Sequence, residues 1–185
     1  MRFVPHFNFY ILKHSKLLNM ICITLESTQN KNKQYFFKYA CVASILAVAG
    51  NLLASFFATL VTHLVFTTQV QTADHEPLFE LSFIELILFA PMFESVLLGL
   101  FVCLLLRSKL SPTQIIYLSA LLWAILHGLF DVERFLGTLC GFIIFNYAFV
   151  NWYPKGFWIA VLAAFIPHSF NNLIAFLLIT FISGN

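Results

Sequence analysis

Residues 81–106 read LSFIELILFAPMFESVLLGLFVCLLL, with Glu85 and Glu94 the only charged side chains in the run. The stretch exceeds the roughly 20 apolar residues that a helix needs to cross hydrocarbon. Glu94 stands near its middle, where a charge costs roughly 2.5 to 3.5 kcal/mol on insertion scales. A carboxylate retained at such a depth is a functional-site hypothesis in itself.

The rest of the chain reads the same way. Over 185 residues, 61% are hydrophobic, 10% are charged and the mean hydropathy is +0.89, whereas soluble domains carry about 25% charged residues. Apolar runs at Tyr39 to Phe66, Leu81 to Leu106, Thr113 to Phe130, Phe135 to Tyr153 and Phe157 to Ile182 predict about five membrane helices. Short connections at Arg107 to Pro112 and Pro154 to Gly156 carry proline and glycine as terminators. The expected fold is an all-α polytopic membrane bundle over residues 39–185, preceded by an arm over residues 1–38. Within that arm, residues 1–25 mix aromatic with basic residues and predict an interfacial segment, and residues 26–34 predict a polar linker. No signal peptide is expected.

Charge sets an orientation. Lys31, Lys33 and Lys38, then Arg107 and Lys109, then Lys155, fall on one side of a five-span chain. The other side receives Asp74, Glu76, Glu80, Asp131, Glu133 and a single basic residue, Arg134. This asymmetry predicts a cytoplasmic N-terminus, with the plasma membrane as the expected location. Cys22, Cys41, Cys103 and Cys140 stand singly and read as small apolar side chains.

Polar groups recur in two further spans: His127 in the third, and His168 with Asn172 in the fifth. His168 and Asn172 are four residues apart and share a helix face, as do Trp123 and His127. Glu85 lies nine residues before Glu94, hence on the opposite face and close to an interface, which predicts snorkelling or a local structural role. Pro91 and Pro167 each remove a helical donor, so the carbonyls of Ile87 and Ala163 need partners inside the bundle. Asn51, His63, Asn146 and Asn171 read as structural. Depth is uneven: Glu94 and His168 lie roughly 20 Å from the exoplasmic ends of their spans and His127 only about 6 Å, a difference that a tilt, or a third helix running past Asp131, would reconcile.

These residues resemble the CPBP or CAAX-protease (Abi) family of intramembrane endopeptidases, which carries Glu-Glu-x-x-x-Arg, Phe-x-x-x-His and His-x-x-x-Asn in that order on separate helices. Here Glu94-Ser95-Val96-Leu97-Leu98-Gly99, Trp123-Ala124-Ile125-Leu126-His127 and His168-Ser169-Phe170-Asn171-Asn172 occupy those places. Gly137, Gly141 and Tyr147 resemble the glycine-punctuated helix between the last two motifs, and the likeness spans residues 80–180. Ser95 stands for the second glutamate, Gly99 for the arginine and Trp123 for the phenylalanine. The resemblance implies a protein or peptide substrate, with prenylated proteins one such class, and it implies Glu94 as activator of water.

The chemistry can be weighed on the residues alone. Amide hydrolysis needs a base for water and donors for the oxyanion; Glu94 with His127 suits the first and His168 with Asn172 the second. That reading requires no cofactor. Glu94, His127 and His168 also match a zinc site in ligand type, although no His-Glu-x-x-His spacing occurs. Two further classes stay open: a small proton- or ion-coupled transporter, and a non-catalytic binding or immunity protein on the same fold. No nucleic-acid partner is expected. On the catalytic reading, Glu94, His127, His168 and Asn172 converge among the second, third and fifth spans.

Overall fold

The computed structural model describes residues 33–65, 82–129 and 132–183. The interfacial segment and acidic residues 74, 76, 80 and 131 lie outside them. Five helices run through the described residues: α1 (Lys33–Val65), α2 (Ala90–Leu105), α3 (Pro112–His127), α4 (Val132–Trp152) and α5 (Phe157–Ser183). A π-helical turn, Glu85–Phe89, leads into α2, and a 3-10 turn, Tyr153–Lys155, joins α4 to α5. Four helical stretches are long and apolar enough to cross a bilayer, and α3 is a shorter apolar helix. The protein is an all-α membrane bundle, as its composition predicts.

On α1 most of the small side chains face inward, and most of the large ones face outward. Ala40, Ala43 and Ala47 are buried, while Phe37, Leu53, Phe56 and Phe57 are exposed. In a membrane this is the stable arrangement, because lipid accepts large apolar groups and close helix contact depends on small ones. The central element is α4, with 61% of its apolar window buried against 22–28% for the other three long helices. Its Gly141 N–H donates to Asn51 Oδ1 at 2.6 Å, and Asn51 Nδ2 donates to Asn171 Oδ1 at 3.0 Å. Asn51 and Asn171 thus tie α1, α4 and α5 together, the structural role expected of them.

Three boundaries differ from expectation. α1 begins at Lys33, six residues before Tyr39, because its first turns also have something to pack on. Phe36 and Tyr39 meet the Trp152 ring edge-on at 4.9 and 5.4 Å, and Lys155 Nζ lies 3.9 Å over the same ring. α4 starts at Val132 rather than Phe135. The third difference decides the site: α3 stops at His127 and does not run past Asp131.

Both ends of α3 have local causes. Ser111 and Gln114 form a reciprocal capping box, with Ser111 N–H donating to Gln114 Oε1 at 2.9 Å and Gln114 N–H donating to Ser111 Oγ at 3.3 Å. Pro112 then occupies the first helical position, where no N–H is needed. At the other end, Gly128 N–H closes the helix on the carbonyls of Ala124 and Ile125. A β-carbon at Gly128 would lie 2.3 to 2.6 Å from the β-carbon and backbone of Phe135. The turn into α4 is therefore tight enough to require glycine.

Candidate active site

Glu94, His127 and His168 arrive from three helices and meet. His127 Nε2 lies 3.4 Å and His168 Nε2 3.5 Å from the same oxygen, Glu94 Oε2. Their depths are reconciled by side-chain direction rather than by a longer α3. Measured from the end where residues 106–111 and 153–156 lie, Glu94 and His168 are each about 16 Å along their helices, and His127 is about 22 Å along its own. Side chains on a helix lean toward its N-terminus. α2 and α3 run in opposite directions, so Glu94 leans toward His127 and His127 leans back toward Glu94, closing an offset of about 6 Å.

The three are not equally enclosed. The side chains of Glu94 and His127 are 25% and 28% exposed and that of His168 only 6%, so His168 forms the floor and the other two the open side. Aromatic rings from α4 complete the floor. Phe145 stacks on His168 at 4.6 Å, and Phe142 lies against both His127 at 4.8 Å and His168 at 5.8 Å. Phe142 and Phe145 are site residues that the sequence does not mark, since a chain with 23 phenylalanines gives no two of them distinction.

Hydrogen bonding fixes the tautomer of His127. Its Nδ1 lies 2.9 Å from the Trp123 carbonyl, which can only accept, so Nδ1 carries the hydrogen. In a neutral imidazole Nε2 is then a bare acceptor, and a bare acceptor facing a carboxylate oxygen is repelled by it. A proton on the Glu94 carboxyl or on His127 Nε2 would let the two groups hydrogen-bond. A pair sharing one proton can take one from water and give one back.

The helix that carries Glu94 is broken just above it. Ala90 N–H bonds to the Glu85 carbonyl, five residues back, and so abandons the Leu86 carbonyl that an α-helix would have given it. The next nitrogen, Pro91, has no hydrogen to offer either Leu86 or Ile87. α5 supplies both missing donors: Ser169 Oγ donates to the Ile87 carbonyl at 2.6 Å, and Asn172 Nδ2 donates to the Leu86 carbonyl at 3.1 Å. The freed carbonyl expected at Ile87 is thus satisfied inside the bundle. Asn172 lies one turn above His168, but one of its two amide hydrogens is committed to backbone. Ser169 has no counterpart among the residues that the sequence singles out.

Glu85 takes the local role expected of it. It is exposed and pairs with Ser82 at the helix start: Ser82 N–H donates to Glu85 Oε2 at 2.7 Å, and Glu85 N–H donates to Ser82 Oγ at 3.3 Å. Asn146 likewise turns inward on its own helix, donating to the Phe142 carbonyl at 2.8 Å.

The positions where the resemblance would place charge carry none. Ser95 and Gly99 face the interior, and a β-carbon on Gly99 would come within 2.5 Å of the Phe149 ring and 3.2 Å of Phe157. No arginine fits there. Among the described residues, the histidines are the only groups at ion-pair distance from Glu94.

A zinc ion would sit about 2 Å from each ligand, with the donors arrayed around it. Donors so arrayed stand about 3.3 Å from one another, close to the 3.4 and 3.5 Å that separate Glu94 Oε2 from the two imidazoles; among the described residues no group of three or more His, Cys, Asp or Glu is gathered as a metal site. Comparison with family models, curated proteins and solved structures found no match to this chain.

Proposed function

We propose that this chain is an intramembrane endopeptidase of the CPBP or CAAX-protease kind, with Glu94 activating water. One observation carries the proposal: Glu94 Oε2 lies within 3.5 Å of both His127 Nε2 and His168 Nε2, although the three come from different helices. Clusters of ionisable groups inside a membrane bundle are rare and mark function. Their order along the chain also matches the three motifs of that family.

Water enters from the exposed side and lies against Glu94 and His127. Glu94 takes one of its protons as the oxygen attacks the scissile carbonyl, forming the C–O bond of a tetrahedral intermediate. His168, on the floor, donates from Nε2 to the oxyanion, and the second amide hydrogen of Asn172 is the supporting donor. The proton held between Glu94 and His127 then passes to the leaving nitrogen as the C–N bond breaks, and the products are a carboxylic acid and an amine. No step requires a cofactor. The separations of 3.4 and 3.5 Å are long for hydrogen bonds, and catalytic contacts commonly tighten only when substrate is bound.

The substrate is a membrane protein or peptide, with a prenylated C-terminal segment the class that the resemblance names. The basic residues at 38, 107, 109 and 155 support a cytoplasmic N-terminus, and the plasma membrane is the proposed location. A second reading, a binding protein built on a protease fold, draws support from the aromatic carbon that replaces charge beside Gly99. Substrate-trapping proteomics separates the two. Glu94→Gln should accumulate uncleaved partners that the wild type releases as fragments, whereas an equal set of intact partners in both would favour binding alone.

A further inference from the structure

We propose that Ser169 and Asn172 are positioning residues that suture the break in the Glu94 helix to α5 and so fix Glu94 against His168. Two backbone carbonyls at membrane depth lose their intrahelical donors at one proline, and each unsatisfied group there costs several kcal/mol. Both donors come from one turn of one neighbouring helix, at 2.6 Å from Ser169 and 3.1 Å from Asn172. That same turn begins with His168, which lies 3.5 Å from Glu94. The two sutures and the His168 contact therefore bridge the same pair of helices, at three successive points along their antiparallel run.

The geometry explains why a costly break is useful. An unbroken α-helix satisfies its own carbonyls and can slide or rotate against α5 without losing a hydrogen bond. The π turn with Pro91 leaves two acceptors that only α5 fills, so any rotation of the Glu94 segment breaks a bond that nothing else can replace. A displacement of about 1 Å at a reacting group can cost on the order of 100-fold in rate. The consequence for cleavage rests on the proteolytic reading, and the geometry does not.

The test uses the full chain, labelled with ¹⁵N-histidine in detergent micelles, so that the imidazole signals of His127 and His168 report the position of Glu94 without any substrate. Ser169→Val removes the hydroxyl, with Ser169→Thr as its control of equal shape, and should displace both signals in the direction that Glu94→Gln displaces them. Ser169→Thr keeps the hydroxyl and should keep the wild-type spectrum. Pro91→Ala returns an N–H within reach of the Ile87 carbonyl, so combining it with Ser169→Val should bring the signals back. Unmoved signals in Ser169→Val, or no recovery in the double variant, would overturn the suture. Should Ser169→Val fail to accumulate, recovery of folded protein on adding Pro91→Ala supports it and continued loss overturns it. With a quenched farnesylated CaaX peptide as the activity probe, Ser169→Val should lower kcat about tenfold with KM held. A wild type that cleaves no substrate but shows the spectral pattern would end the proteolytic reading and leave the suture standing.

Discussion

At the scale of single residues, Glu94 is a carboxylate whose ion-pair partners among the described residues are both histidines. Replacing Glu94 with Gln keeps the side-chain volume and removes the base, so cleavage should fall by about 10²- to 10⁴-fold, while the amount of folded protein, read by size-exclusion in detergent, stays at the wild-type level. Gly99 gives the converse case, a position set by packing alone. Gly99→Ala drives a β-carbon to 2.5 Å from the ring of Phe149, itself fully buried, and overpacking of this kind costs about 1 to 3 kcal/mol. An SDS unfolding titration should show that loss, and Phe149→Leu in the same chain should recover most of it. Glu94, His127 and His168 were legible in the sequence because hydrocarbon makes each of them expensive. Phe142, Phe145 and Ser169 were not, because a phenylalanine or a serine in an apolar helix is ordinary until its neighbour is known. Asn172 was legible as a polar group facing inward, but its donation to the Leu86 carbonyl depends on a π turn that periodicity does not reveal.

At the scale of elements, two irregular turns do the positioning. Pro91 announced a freed carbonyl at Ile87, and the structure answers it from α5. The end of α3 was harder to read, because equalising the depths of Glu94 and His127 called for a longer helix. Gly128, directly after His127, is an ordinary helix-stop signal, and the opposed lean of side chains on antiparallel helices supplies the missing reach. Gly128→Ala should therefore pry α3 from α4 by driving a β-carbon into the Phe135 backbone. Its expected signature is a loss of about 1 to 3 kcal/mol in the same titration, together with a changed emission from Trp123, which stacks on Phe142 across that interface. The capping box at the other end is independent of the site, so Ser111→Ala should cost about 1 kcal/mol and leave cleavage unchanged.

At the scale of the whole molecule, composition and run lengths were enough for an all-α membrane bundle, since at membrane depth a chain must satisfy its backbone within its own helices. Which helix is central was not legible: α4 is less hydropathic than the others, at 1.4 against 1.7 to 2.2, and it is central because its neighbours wrap it. Orientation is open to direct measurement. In a variant lacking native cysteines, Glu133→Cys should react with an impermeant maleimide in intact cells and Lys109→Cys only after permeabilisation; the reverse pattern would invert the proposed topology. The central claim is that Glu94 activates water for peptide-bond cleavage within the membrane. Its most direct test is a comparison of new protein termini in membranes carrying wild type or Glu94→Gln at equal abundance. Such termini should be present with the wild type and absent with Glu94→Gln. Identical sets of termini in the two membranes would contradict the claim.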